Sequence, residues 1–403
     1  LEPHAIHRLS RVLDRSAVIS ATNGKTTTAA MVASILERGG ARLVHNRAGA
    51  NMAGGIASAL LAGRGDTGLF EVDEFWLGQL VGDLHPRALL LGNLFRDQLD
   101  RYGELETIAD RWAEVVAAQR GGLVLNADDP LIADLATDAV FFGVEDASLA
   151  LPGLQHASDS KHCRRCGAPY VYDAVLLGHL GHYHCPNGDS TRPRPAIAAE
   201  DVELEGVRAA RFTLRTPAGS APVALPLPGL YNVYNALAAA ALCTALGVPL
   251  ADVVAGLEGV APAFGRAEVV DLAGRPLTLL LVKNPAGANE VLRTLVLEGG
   301  ELDLLGVLND RTADGRDVSW VWDADFELVA PSVRHVVCSG TRAAELAVRL
   351  KYAGVDPGRI EVVRALPAAV RAARADGDGP LYALPTYTAM LELRRVLSGS
   401  ALG

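Results

Sequence analysis

Residues 18–28 read Val-Ile-Ser-Ala-Thr-Asn-Gly-Lys-Thr-Thr-Thr. No other stretch restricts the fold so much, because it needs a buried strand before it and a helix after it. Such a loop turns backbone N–H groups toward a polyphosphate, and the helix it opens adds its positive N-terminal end. Lys25 then reaches the β- and γ-phosphates, and the Thr26 hydroxyl ligates Mg²⁺. Asn23, Gly24 and Thr27 belong to the same cradle. The longer phosphate-loop pattern has glycine where this chain has Ile19. The match is to the shorter form x-T-N-G-K-T-T, with Ala21 where glycine is common.

Residues 1–150 alternate short apolar runs with helical stretches. Strands are expected at 17–20, 43–45, 68–72, 88–91 and 123–126, and helices at 26–38, 54–62 and 105–118. That order predicts an α/β fold, a mostly parallel sheet with helices on both faces and its ligand at the strand C-terminal ends. Residues 202–228 read as paired strands returning to the sheet, and 234–246 as an alanine-rich helix. A second α/β layered, Rossmann-like domain is expected from about Phe264, with strands at 279–282, 302–308, 335–338 and 360–363 and helices at 288–297, 342–352 and 366–374. The expected domains are thus 1–263, carrying an insertion at 159–195, and 264–403.

A chain of 403 residues suffices for on the order of two or three domains. Its formal net charge of −10 argues against a broad electrostatic grip on nucleic acid. Local Lys and Arg can still serve anionic small substrates. No run approaches the ~18–20 apolar residues of a membrane span. The start, Leu1-Glu2-Pro3-His4, has no signal-peptide pattern. A cytoplasmic protein without a transmembrane segment is expected.

Of five cysteines, Cys243 and Cys338 lie in apolar runs and read as reduced core thiols. Cys163, Cys166 and Cys185 cluster in the insertion, where a metal is favoured over a disulfide. Cys163-Arg164-Arg165-Cys166-Gly167 forms half of a zinc ribbon, since the glycine lets backbone N–H groups approach the thiolates. The other half, 182–188, is incomplete, with Gly188 where a fourth cysteine belongs. His184, His182 or His162 could complete a Cys₃His set, with Asp189 a weaker oxygen ligand. Alternatively the metal is lost and packing holds the module. Any zinc here is structural.

Further polar motifs follow the apolar runs. Glu71-Val72-Asp73-Glu74 ends a strand beside the phosphate loop, where a Mg²⁺ ligand is needed; Glu71 is the candidate. Residues 93–103 (N-L-F-R-D-Q-L-D-R-Y-G), 126–130 (N-A-D-D-P), 229–235 (G-L-Y-N-V-Y-N) and 264–268 (F-G-R-A-E) come in order after it. Each alone could be turn or cap chemistry. Their succession after T-N-G-K-T-T resembles the Mur ligase family of ATP-dependent amide-forming enzymes, over nearly the whole chain.

Three details are similar to one branch of that family, the MurT subunits of lipid II isoglutaminyl synthases. The phosphate loop comes early, leaving no room ahead of it for a nucleotide-sugar domain. A cysteine-rich insertion interrupts the central domain. The segments 281–287 (L-V-K-N-P-A-G) and 309–323 (N-D-R-T-A-D-G-R-D-V-S-W-V-W-D) look like that branch's own. Lys283 departs from the Asp-x-Ala-His-Asn-Pro of other Mur ligases, and Gln98 stands where they commonly have histidine.

The resemblance implies a central ATPase domain followed by a family-specific C-terminal domain. It implies ATP-dependent activation of the α-carboxylate of D-glutamate in the lipid II stem peptide, and amidation by ammonia to D-isoglutamine. Lys25 and Glu71 would serve catalysis, with Thr26 and Glu71 on Mg²⁺. By family position Asn232 and Arg266 would bind the nucleotide, while Lys283, Asn284 and Arg96 are candidates for substrate or phosphate contacts.

Ammonia must come from a partner, a GatD-type glutaminase subunit in a heterodimer. Cys243 falls inside an apolar helical run, and a catalytic cysteine needs exposure and a base. In this branch an aspartate of the ligase subunit is thought to complete the partner's Cys-His pair. Asp317 is the choice and Asp314 the reserve, against two loop aspartates that merely make turns. The lipid-anchored substrate would place the complex at the inner membrane face. The alternatives are a stand-alone Mur-like or folylpolyglutamate-like amino-acid ligase, and a nucleotide-binding scaffold without turnover.

Overall fold

The computed structural model describes residues 4–46, 49–97, 105–155, 158–261, 266–375, 377 and 379–398. The first sheet is built from β1 (Arg15–Ser20), β2 (Leu43–His45), β3 (Thr67–Glu71), β4 (Ala88–Leu91), β5 (Gly122–Asn126) and β6 (Val140–Val144). A hairpin, β7 (Val171–Leu177) and β8 (Leu180–His184), stands apart from it. The chain then returns to the sheet as β9 (Ile197–Glu205), β10 (Ala209–Thr216) and β11 (Gly219–Leu225). The order is β11-β10-β9-β6-β5-β4-β1-β3-β2. Pairing is parallel from β2 to β9, and β9, β10 and β11 run antiparallel.

Parallel strands covered on both faces are buried along their length, and β1, β3 and β4 are buried at every position but Arg15. Their residues alternate between two cores. Ile19, Leu69 and Leu90 face the helices Lys25–Arg38 and Leu230–Ala245 through Met31, Ile35, Ala239 and Leu242. Val18, Phe70 and Leu89 face the other way, toward Ile56, Leu80 and Trp112. Gly256 lets a third helix, Leu250–Glu258, close onto the first. A Cβ there would lie 2.6 Å from Ile35 Cα.

The second sheet holds β12 (Arg266–Leu272), β13 (Arg275–Leu280), β14 (Leu302–Val307), β15 (Val333–Ser339), β16 (Ile360–Val362) and β17 (Leu381–Pro385). Its order is β12-β13-β17-β14-β15-β16, parallel except for the β12–β13 hairpin. Helices Pro285–Val296 and Ala343–Tyr352 cover one face, and Leu366–Ala375 and Tyr387–Ser398 the other. The two sheets share no strand. The expected boundary at Phe264 lies outside the described residues.

Cys243 and Cys338 are buried in apolar cores, and burial pushes both thiols up, Cys338 to about 12. β6, β12, β17 and the helices Leu77–Leu84 and Tyr387–Ser398 are additions to the expected set. The alanine-rich helix begins at Leu230, so the N-x-x-N motif occupies its first turns rather than a loop.

Candidate active site

β1 and β4 are neighbours whose chains leave in opposite directions, which opens a crevice at their C-terminal ends. Both polar loops lie there and hold each other. Asn23 N–H donates to Asn93 Oδ1 at 2.9 Å, Asn93 Nδ2 returns a bond to the Asn23 carbonyl, and Thr22 N–H donates to the Asn93 carbonyl. Gly24 has φ +89°, and a Cβ there would stand 2.0 Å from Asn235 Oδ1. Only glycine meets both conditions. Helix Lys25–Arg38 starts at the next residue, its first N–H groups facing the crevice.

Lys25 is buried and paired with Glu74 at 2.8 Å, and its ammonium also donates to the Ala21 carbonyl. Burial pushes the Glu74 carboxyl up, but Lys25 and Lys283 outweigh it and hold the group below its ordinary range. Thr26 Oγ1 donates to Glu71 Oε2 at 2.8 Å. Glu71 is 1% exposed. Asn46 fixes its backbone, accepting from Glu71 N–H at 2.9 Å and donating to its carbonyl at 2.8 Å. A lysine, a hydroxyl and a carboxylate thus converge beside the start of a helix, an arrangement suited to a metal-bound polyphosphate.

The second sheet closes the crevice. Asn284 caps helix Pro285–Val296 by accepting from Gly287 N–H, with Pro285 at the first helical position. The same side chain donates to Asn23 Oδ1 at 2.9 Å. Lys283 binds Asp97 at 2.5 Å and the Thr22 carbonyl at 3.2 Å. Arg96 is paired with Asp159, which ties the loop after β4 to the insertion.

Between the sheets lies a cleft of about 820 Å³, counting solvent at its mouth, lined among others by Asn23, Gly24, Asn235, Tyr231, Lys283 and Glu290. Asn232 does not line it. That side chain is buried, donating to the Pro228 carbonyl and accepting from Asn235, so its partner Asn235 presents the amide to the cleft. Thr27 is buried within the first helical turn. Arg266 opens β12, but its side chain lies outside the described residues, as do 98–104 with Gln98.

A second hollow, of about 530 Å³ with its solvent, opens on the other side of Lys283 and includes Arg96, Asn284, Asp314 and Asp317. The two aspartates differ. Asp314 is buried and accepts from Thr388 N–H at 2.7 Å, from the Thr388 hydroxyl and from Arg311 N–H. It fastens the loop to the last helix. Asp317 is exposed and accepts from Ser319 N–H at 2.8 Å. That bond and the Ser319 hydroxyl hold its carboxyl below the ordinary range.

In the insertion the sulfurs of Cys163, Cys166 and Cys185 lie within 4.8 Å of one another. His184 does not join them, contrary to expectation. Cys185, just past the end of β8, is buried, while His184 at the strand end faces Asp173 at 3.3 Å across the hairpin. His182 is engaged with the Val144 carbonyl, and His162 is exposed outside the cluster. The Ala168 N–H and Asn187 amide pull the Cys166 thiol down, while Asp189 and Cys185 push it up, to about 11 on balance. None of the named fourth candidates joins the three sulfurs within that distance.

Asn235 and Glu74 were present in the sequence motifs but carried no signal separating them from their neighbours. Only helical phase and the fold of the loop after β3 aim them at the phosphate loop.

Family models for the Mur ligase middle domain and the MurT ligase C-terminal region match residues 19–184 and 281–390. The lipid II isoglutaminyl synthase (glutamine-hydrolyzing) subunit MurT of Staphylococcus aureus (strain N315) is 32% identical, over 100% of this chain and 92% of its own. That of Streptococcus pneumoniae (strain ATCC BAA-255 / R6) is 32% identical over 94% of this chain and 86% of its own. Among solved structures, a pseudomurein peptide ligase type C from Methanothermus fervidus superposes with TM-score 0.75 at 23% identity, over 96% of this chain and 79% of that one. Folylpolyglutamate synthase of Mycobacterium tuberculosis, complexed with ADP and AMPPCP, gives TM-score 0.66 at 16% identity, over 98% of this chain and 94% of that one.

Proposed function

The chain belongs to the Mur ligase family, among its MurT subunits, and on that premise we propose that it is the ligase subunit of a lipid II isoglutaminyl synthase. The likeness across the whole length to glutamine-hydrolyzing relatives carries this reading. It is an ATP-dependent carbon–nitrogen ligase of peptidoglycan synthesis. The α-carboxylate of D-glutamate in the stem peptide attacks the γ-phosphorus of ATP, and ADP leaves. Ammonia then attacks the acyl phosphate carbon, the C–N bond forms, and phosphate departs with the C–O electron pair and takes up the proton that nitrogen sheds, leaving D-isoglutamine.

A carboxylate is a poor electrophile, so phosphorylation supplies the leaving group. Phosphoryl transfer needs positioning and charge neutralisation above all. Asn23, Gly24 and the first N–H groups of helix Lys25–Arg38 cradle the phosphates. Lys25 leaves Glu74 to neutralise the γ-phosphoryl. Thr26 and Glu71 would hold Mg²⁺, which when bound screens the phosphate charge and draws electrons from the transferring group. Lys283 and Asn284 bring the second domain's charge and amide to the same place. Asn235, supported by Asn232, faces the nucleoside, and Arg266 belongs to the same nucleotide contact by family position.

Ammonia comes from a partner glutaminase, and Asp317, exposed on the hollow that reaches Lys283, completes that partner's Cys-His pair. Among the described residues no helix is long and apolar enough to cross a membrane. The complex works at the cytoplasmic membrane face by gripping lipid II. Domains 1–263 and 264–403 divide the work, with 159–195 a zinc-ribbon-like insertion.

Incubation with lipid II, ATP, Mg²⁺ and ammonium is expected to replace OH by NH₂, read as the small mass loss of amidation. A residue-sized gain would mean amino-acid ligation instead, and no change would leave a nucleotide-binding scaffold. Cys163, Cys166 and Cys185 would hold structural zinc, with Asp189 or water as the fourth ligand. Protein prepared without added zinc or chelator should carry close to one equivalent. Less than about a tenth would sink the zinc assignment, because a structural site is nearly full.

A further inference from the structure

Beside the phosphate loop stands a histidine that the reaction above leaves without a role. His45 ends β2, in register with Leu69 on β3. It therefore shares a sheet face with Leu69 and, two residues on, Glu71. Its side chain is 7% exposed, and Nε2 lies 3.8 Å from Glu71 Oε1. Among the described residues neither ring nitrogen has a hydrogen-bond partner, and neither does Glu71 Oε1. The other Glu71 oxygen is taken by Thr26. Buried polar atoms without partners are uncommon and costly. Here three of them meet at the candidate cation site.

The spacing is too long for a hydrogen bond. It suits two donors on one ion: at metal–ligand bonds of about 2.1 Å, adjacent donors are about 3.0 Å apart and opposite ones about 4.2 Å. Asn46, the next residue, binds the Glu71 backbone through both ends of its amide. The end of β2 is thereby locked to the end of β3, and the imidazole is carried with it.

We propose that His45 is a protein ligand of the ATP-bound cation, sharing it with Glu71. The inference rests on the phosphate-loop reading given above. An imidazole donor makes the site mixed nitrogen and oxygen. Mg²⁺ favours all-oxygen surroundings, whereas first-row metals accept imidazole well. The site therefore favours Mn²⁺ over Mg²⁺ more than an all-oxygen phosphate-loop site does.

The test uses the full chain, labelled with ¹⁵N only in histidine, with Mn²⁺ and a non-hydrolysable ATP analogue. Analogue binding is measured separately by fluorescence. Pulsed electron paramagnetic resonance should show an imidazole ¹⁵N coupling to the bound Mn²⁺. His45→Asn should abolish that coupling and weaken Mn²⁺ binding at least about tenfold, the effect that disturbing even an outer partner of a metal ligand produces. Mg²⁺ binding should weaken less.

Bound Mn²⁺ with no ¹⁵N coupling overturns the inference while leaving the phosphate-loop reading intact. So does a coupling that survives His45→Asn, which would assign the nitrogen to another histidine. Analogue failing to bind at all overturns the reading itself. An absent coupling in the wild-type spectrum overturns the inference whether or not the variant folds, and His45→Gln makes the same assignment where His45→Asn does not fold.

Discussion

Lys25→Ala is expected to slow acyl phosphate formation by about 10²–10³-fold, the cost of losing one preorganised donor to developing charge, or about 2.7–4 kcal/mol. The geometry says why the loss falls on turnover. The ammonium is engaged with Glu74 and the Ala21 carbonyl. Binding ATP exchanges those partners for phosphate oxygens, so part of the ground-state gain is cancelled. The remaining advantage appears as charge shifts during transfer. Analogue affinity should fall much less than kcat. Removing Lys25 also strands a buried carboxylate, although Lys283 still acts on Glu74. Lys25→Ala combined with Glu74→Gln separates the effects: stability should recover and turnover should not. Single-turnover ATP hydrolysis in the presence of lipid II reads the rate. A variant as fast as the parent would remove the phosphate loop from the chemistry.

That loop was legible because its chemistry is contiguous: strand, glycine, lysine and hydroxyl follow one another along one short stretch. The parts that escaped depend on distant partners. β17 is a central strand of the second sheet, yet Leu381-Tyr-Ala-Leu-Pro is five residues ending in proline, and proline argues against a central strand. Its Pro385 stands at the strand end, where only its carbonyl is needed, accepting from Val282 N–H. β12 hides in a hairpin whose turn places Ala273 and Gly274 at positive φ. Ala-Gly is a weak turn signal compared with Asn-Gly. The fourth zinc ligand stayed open among His184, His182, His162 and Asp189 for a different reason: nothing in the sequence tells which way each side chain turns, and it is the hairpin that sets His184 against Asp173. Asn232 and Asn235 lie a helical turn apart in one motif, and only the packing of helix Leu230–Ala245 against Gly24 selects the second for the cleft.

Asp317→Asn is expected to lower glutamine-dependent amidation by up to about 10⁴-fold, the cost of losing the aspartate that orients a catalytic imidazole, while amidation driven by added ammonium is unchanged. The sequence reading puts Asp317 first and Asp314 in reserve, with no partner in view for either. In three dimensions Asp314 is consumed by Thr388, 74 residues away, and by Arg311. Asp317 is open to a partner, and Ser319 holds its carboxyl below the ordinary range. An ionised, exposed carboxylate can turn an imidazole on another chain and stabilise its charged form; a neutral amide of the same shape cannot. Asp314→Asn should behave oppositely. It sets an NH₂ against buried N–H and hydroxyl donors, with a cost of about 1–3 kcal/mol, seen as a lower urea midpoint, and it should lower both amidation activities together. Glutaminase turnover of the mixed complex distinguishes the roles: if Asp317→Asn hydrolyses glutamine at the parent's rate, the carboxylate does not belong to the partner's site, and Ser319 holds it only to close a turn.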